Sequence, residues 1–428
     1  MSIQRISSGN YNLDRVMGGG IPKGSTTILL GTPGSGKTTL ATQFILEGCN
    51  KNEKGAIVLV GQSTKKFIED MASYGWNLKE NDKIRIFEIP PLDPDFDERL
   101  ISIVSELISW GAERVVIDSV STLLLSFDRM RKRRELSNIL FGLEGMTILM
   151  TVEGKETDAM YMADSVIELS SQMENGYLRR RLFVRKMRRS EHSMVGFPYV
   201  ITRSGFDVIT PSDKPPLISD ELVSTGIEKL DVMVGGGVIK GSITFIGGQP
   251  GSGKTTLGIH FLLDGLKKGE KVLLILLERS AEEIRRDLKS IDGTGIKDLS
   301  VYDVPLSSPE MILKDIIDIL WKTKPSRVVI DSIDLPVRVL GDELIQYLCI
   351  LSSHLKAVGA TAMFLANISM NEMPPATGVN ISQYMDYIVH IVYVDGGRKR
   401  NIRVLKGKGK IDPFPREVAI TKTGMVII

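Results

Sequence analysis

Two short stretches of this chain combine glycines, one lysine and a hydroxyl residue at a spacing suited to holding phosphate. The first is Gly31, Thr32, Pro33, Gly34, Ser35, Gly36, Lys37, Thr38 and Thr39. The second is Gly248, Gln249, Pro250, Gly251, Ser252, Gly253, Lys254, Thr255 and Thr256. Each follows an apolar strand pattern and opens a helical one, which is the context such a loop requires. The glycines let backbone N–H groups turn inward into an anion nest, and the helix N-terminus adds its positive dipole end. Lys37 and Lys254 are expected at the β- and γ-phosphates of a nucleotide, and the hydroxyls of Thr38 and Thr255 on Mg²⁺.

Further carboxylates fit the same chemistry. Asp118 and Asp331 each end the apolar run VVID downstream of a phosphate loop. A carboxylate at the C-terminal end of such a strand can orient Mg²⁺ or its water. The strand after the loop helix is where a water-activating glutamate is expected. In the second copy Leu277 is followed by Glu278 and Arg279; in the first, Val60 is followed by Gly61 and Gln62, with no carboxylate until Glu69. A carboxylate accepts a proton from water, whereas an amide only orients it. Glu278, with Lys254 and Lys37, is therefore the catalytic expectation, Gln62 a nucleotide contact, and hydrolysis in the first copy slow or absent.

The elements that must position these groups are written twice. Ser8 to Leu40 and Thr225 to Leu257 are identical at 19 of 33 positions at a constant offset of 217 residues. A period that long marks a duplicated domain and not a solenoid. Residues 1–210 form the expected first domain, 211–219, within TPSDKPPLIS, the linker, and 220–428 the second. Apolar strands alternating with helical stripes predict an α/β fold, a mostly parallel sheet covered on both sides, in each copy. Each ends in β-rich sequence with hairpins, Tyr177 to Lys186 and Tyr387 to Lys406.

Composition excludes several classes. The 428 residues carry 54 basic and 52 acidic side chains, so a polyanion-coating protein is not implied. No run approaches the roughly 18 apolar residues of a membrane span. Cys49 and Cys349 have no metal-ligand spacing. Neither a disulfide scaffold nor a zinc site is expected, and the cytoplasm is the simplest location.

These residues resemble the RecA superfamily of P-loop ATPases, most closely its two-domain KaiC-like branch. The pattern of Gly9, Leu13, Asp14 and Gly18 to Gly20, repeated at Gly226, Leu230, Asp231 and Gly235 to Gly237, is similar to the KaiC leading motif. The resemblance covers nearly the whole chain and implies two tandem RecA-like domains in a homo-oligomeric ring, usually hexameric, with ATP between subunits. It implies phosphate contacts from a neighbouring subunit through Lys186, Arg188 and His192 in the first domain and Lys406 and Lys408 in the second. Family members carry a Glu-Glu pair where this chain has Gly61-Gln62 and Glu278-Arg279. Clock-type members also carry an adjacent Ser-Thr phosphorylation pair; the match here is Ser382-Gln383, so one hydroxyl remains. The last apolar pattern ends at Ile428, so the long tail through which clock members engage partners is not expected.

Two basic runs, Arg129 to Arg134 and Arg179 to Arg189, allow a nucleic-acid groove or a solvated or subunit-contact face. Sparse aromatics beside them favour the latter. The leading expectation is a slowly hydrolysing, ring-forming regulatory ATPase that signals to protein partners. The alternatives are a RecA- or RadA-like DNA-binding recombination accessory and an autophosphorylating serine/threonine kinase.

Overall fold

The computed structural model describes residues 4–90, 95–123, 129–154, 157–188, 191–288, 299–367, 381–421 and 424–428. The chain divides into two compact units, Met1–Thr210 and Pro211–Ile428. Each is built on a nine-stranded sheet.

In the first unit the strands lie in the order Ile84–Ile89, Gly55–Val60, Arg114–Asp118, Thr147–Val152, Thr26–Gly31, Ser165–Glu174, Tyr177–Met187, Phe197–Thr202 and Gly205–Val208. The first six are parallel. The last three run antiparallel as hairpins. The second unit repeats this order with Ser300–Asp303, Val272–Leu276, Arg327–Asp331, Thr361–Asn367, Ile243–Gly248, Tyr387–Val394, Lys399–Lys406, Arg416–Thr421 and Gly424–Ile427. This is the α/β architecture that the alternating pattern predicts, twice over.

Successive strand residues serve opposite faces. In the first unit Leu29, Ile57, Leu59, Val116 and Leu149 pack with Leu40, Phe44 and Ile45 of the helix Lys37–Asn50. Ile28, Val58, Val115, Ile117 and Ile148 pack on the other face with Ile103 and Leu107 of Phe96–Trp110 and Leu136 and Ile139 of Arg129–Gly142. Both faces are therefore closed, and the carboxyl ends of the parallel strands are left to hold ligands. The run Arg129 to Arg134 opens that last helix. Arg131 there faces Asp97 at 3.5 Å and Glu135 at 3.9 Å, so part of its charge is balanced within the unit.

Each VVID strand begins with a fully buried arginine. Arg327 donates to Ser224 O (3.0 Å), Phe261 O (2.8 Å) and both oxygens of Glu270, and Asp264 lies 2.9 Å away. Arg114 donates to Ser7 O and Phe44 O, each at 2.8 Å, and to Glu53. Each guanidinium thereby ties the leading segment, the loop helix and the strand of the key aspartate into one piece. The linker is fastened to the second unit: Ser212 N donates to Ser353 Oγ (2.9 Å), Leu217 N donates to Lys356 O (3.0 Å), and Lys214 Nζ sits 4.3 Å over the Trp321 ring.

Candidate nucleotide-binding sites

The loop Gly31 to Thr38 joins the central strand Thr26–Gly31 to the helix Lys37–Asn50, and Gly248 to Thr255 does the same between Ile243–Gly248 and Lys254–Lys267. The chain can make this turn only with glycine at its tightest points. A Cβ on Gly31 would sit 2.6 Å from Leu169 O, and one on Gly248 2.5 Å from Ile391 O. Gly36 and Gly253 precede the helices at φ +90° and +108°, a region closed to most side chains.

The lysines fold back over their loops. Lys37 Nζ donates to Gly31 O (2.8 Å) and Thr32 O (3.0 Å); Lys254 Nζ donates to Gly248 O (2.8 Å) and Gln249 O (2.9 Å). Both ammonium groups are buried, and burial pulls both below the ordinary lysine range, against nearby carboxylates that push the other way. A buried cation beside a nest of N–H donors is a site for an anion. Tyrosine hydroxyls tether both loops: Tyr199 donates to Ser35 O and Tyr393 to Gly251 O, each at 2.7 Å. Burial raises the Tyr199 phenol, which keeps it a donor. The Gln249 side chain accepts from Tyr393 N at 3.1 Å.

Beside each loop stands the expected metal pair. Thr38 Oγ1 donates to Asp118 Oδ2 at 2.6 Å, and Thr255 Oγ1 to Asp331 Oδ2 at 2.7 Å. Thr151 donates to the other oxygen of Asp118. The peptide bond after each aspartate is cis. Among the described residues no cluster of three or more His, Cys, Asp or Glu forms a cage. One hydroxyl and one carboxylate, both hard oxygen donors, suit Mg²⁺, which keeps waters and takes its remaining ligands from phosphates. Burial pushes Asp331 above the usual carboxylate range, opposed by the Thr255 bond; a bound cation would favour the ionised form.

The second site is a cleft of about 370 Å³ between the loop, Glu278, Arg279, Asp331, Ser332, Asn367, Arg400 and Ile420. Burial and then Asp334 raise the Glu278 carboxyl, with Arg338 at 3.7 Å opposing. A raised carboxylate facing a phosphate site is suited to proton transfer. In the first unit the matching strand end offers Gly61 and Gln62, and the Gln62 amide is 3.4 Å from Asp70.

The cations expected to act across subunits lie away from their own loops. Lys186, at the end of Tyr177–Met187, pairs with Val166 near the start of Ser165–Glu174, and its Nζ donates to Met160 O, Tyr161 O and Ala163 O. Arg188 lies 3.8 Å from Asp164. Lys406 donates to Ser382 O (2.6 Å), and Lys408 lies 2.7 Å from Asp386. His192 is half-buried beyond the strand Tyr177–Met187, and Ser382 is half-buried in the turn Ile381–Tyr384.

Several neighbours of the loops escape sequence reading. Asn367 Oδ1 accepts from Lys254 at 2.9 Å and is itself held by Asp334, which accepts from Asn367 N at 2.7 Å and from its side-chain amide. The corresponding place in the first unit holds Glu153, 3.7 Å from Lys37. Arg400 reaches the second cleft, and Arg180 takes the same place opposite Ser171 that Arg400 takes opposite Tyr393. Both precede a named cation, Lys186 or Lys406, by the same spacing, and that recurrence is the signal that marks them.

A doubled phosphate loop with paired threonine and aspartate, set at the carboxyl ends of parallel strands, defines a P-loop ATPase with two nucleotide sites. A family model described as "ATPase: KaiC" matches residues 6–213 and again 223–428. The chain belongs to the KaiC ATPase family. It is 30% identical to the circadian clock oscillator protein KaiC of Picosynechococcus sp., over 99% of this chain and 90% of that protein. It is likewise 30% identical to the protein of that name from Thermosynechococcus vestitus, over 99% and 89%. Circadian clock protein KaiC3 of Synechocystis sp. is 28% identical over 99% and 92%.

Proposed function

We propose that this chain is a ring-forming, slowly hydrolysing regulatory ATPase with unequal sites. The first unit, residues 1–210, binds ATP chiefly as an assembly element; the second, residues 220–428 beyond the linker, turns it over. The observation that carries this reading is Glu278 on the wall of the second cleft, where the first unit has Gly61 and Gln62. Glu278 accepts a proton from the attacking water, while Lys254 neutralises charge on the terminal phosphate. Lys37 does the latter in the first site. Thr38 with Asp118, and Thr255 with Asp331, hold Mg²⁺, which supplies charge neutralisation when bound.

Lys186, Arg188, His192, Lys406 and Lys408 serve a neighbouring copy in a ring, by family resemblance a hexamer. At the ends of their own strands, Lys186 and Lys406 pair with Val166 and Ile388 near the starts of the parallel strands, away from the loop ends at Gly31 and Gly248. Nucleotide state then sets subunit contacts and the surfaces offered to protein partners. Among the described residues no helix is long and apolar enough to cross a membrane; the proposed location is the cytoplasm. The test is ATP turnover and mass measurement, with and without ATP, on the parent, Lys37→Ala and Lys254→Ala. Turnover should persist in Lys37→Ala and collapse in Lys254→Ala; the reverse pattern refutes the division of labour. Stimulation by single-stranded DNA would instead favour a recombination accessory, and label on Ser382 from γ-labelled ATP an autokinase.

A further inference from the structure

We propose that Glu153 is the water-activating carboxylate of the first nucleotide site, so that this site has its own, slower route to hydrolysis. The inference rests on the reading that both loops bind ATP.

Three observations place Glu153 there. It directly follows the strand Thr147–Val152, whose Val152 pairs with Leu30 at the mouth of the phosphate loop. Its Oε1 stands 3.7 Å from Lys37 Nζ, and 47% of its side-chain surface is open to solvent, so a water can reach it. Its backbone N–H is held by Ser121 Oγ at 2.8 Å, which fixes the strand end against the turn after Asp118.

Comparison with the second unit shows that a charge has changed places. There Gly248 pairs with Asn367, so Asn367 stands where Glu153 does, and Asp334 stands where Ser121 does. Asp334 spends its oxygens on Asn367 N, the Asn367 amide and Ser332 Oγ. The second unit thus keeps its fixed carboxylate behind a neutral amide and presents Glu278 from another strand. The first unit has no carboxylate at Gly61 or Gln62 and presents one from the strand end itself. Both glutamates act electrostatically on the phosphate-loop lysine of their own unit. A lysine placed on the terminal phosphate brings the adjacent carboxylate within reach of an attacking water.

In the step, the water oxygen forms a bond to the γ-phosphorus as the bond from that phosphorus to the β,γ-bridging oxygen breaks. ADP departs with the bonding pair, and the water proton passes to Glu153. With Oε1 only 3.7 Å from the Lys37 ammonium, Glu153 is divided between that cation and the water, which accounts for the slower rate.

The test uses the full chain with the second site silenced by Glu278→Gln. Residual turnover is compared before and after adding Glu153→Gln, together with ATP affinity and the identity of the nucleotide bound at the first site. A loss of roughly 100-fold in kcat is expected, the contribution of a positioned base. ATP affinity should be kept or tightened, and the first site should retain ATP instead of ADP. Unchanged residual turnover, no residual turnover to lose in Glu278→Gln, or a parallel collapse of ATP binding overturns the proposal. A parent that binds no ATP overturns both this proposal and the reading beneath it.

Discussion

His260 Nε2 accepts the backbone N–H of Met425 at 2.9 Å, fastening the loop helix of the second unit to the terminal strand Gly424–Ile427. An accepting nitrogen carries no proton, and burial, then Lys267, hold this imidazole below the ordinary histidine range. The unfolded chain therefore takes up the proton first. The stabilisation is fully present above about pH 6.5 and lost as pH falls through the folded value. Urea unfolding of the second unit should weaken on acidification by roughly 1 kcal/mol through this bond. His260→Gln should blunt that slope, because Gln43 makes the equivalent contact in the first unit, accepting from Phe206 N at 3.0 Å. His390, also lowered by burial, keeps a share. An identical slope in the variant would remove His260 from the account.

Asp331→Asn takes the charge from the metal pair of the second site while leaving Thr255 a partner. Turnover should fall on the order of 100-fold, as when one preorganised electrostatic group is lost from a reaction centre. Added chelator should depress the parent far more than the variant. Equal chelator sensitivity would place the metal elsewhere.

Arg327→Met empties a guanidinium shared by two acids, whereas Arg114→Met leaves one acid, Glu53, behind. Removing one member of a buried ionic network costs about 3–5 kcal/mol, less where the orphaned acid reaches water. Denaturant melts should show the larger loss for Arg327→Met, confined to the transition of the second unit. Equal losses would mean that the second acid contributes nothing.

Gly253→Ala forces a side chain into φ +108°, with its Cβ 2.7 Å from Met425 Cε and 2.8 Å from Ile420 Cδ1. The left-handed backbone alone costs about 1–2 kcal/mol. Dialysis against labelled ATP should count one nucleotide per chain instead of two. Two retained nucleotides would show that the loop tolerates the strain.

Much of this molecule is legible in its sequence, for a physical reason. The phosphate loops, the VVID strands with Asp118 and Asp331, and the parallel sheet depend on local residue type and on apolar runs buried on both faces. Glu153, Asn367, Asp334, Arg180 and Arg400 belong to another class. They meet the loops only through strand pairings, such as Leu30 with Val152 and Gly248 with Asn367, that join distant segments. Beyond the loop helices the constant spacing of the two copies also breaks down, so lining up the repeats does not set Glu153 against Asn367. The absence of a carboxylate at Gly61 and Gln62 is readable in the chain; its presence at the end of a different strand is not.

The tyrosine tethers on the two phosphate loops bear on recognition itself. Tyr199 and Tyr393 hold loop carbonyls from different strands, Phe197–Thr202 in one unit and Tyr387–Val394 in the other. A loop already fastened has little freedom left to surrender when a ligand arrives, so binding loses less to ordering and the contacts made are expressed as affinity. The slow chemistry proposed for these sites would leave the nucleotide in place for long periods, so that each chain would keep a durable record of what it last bound.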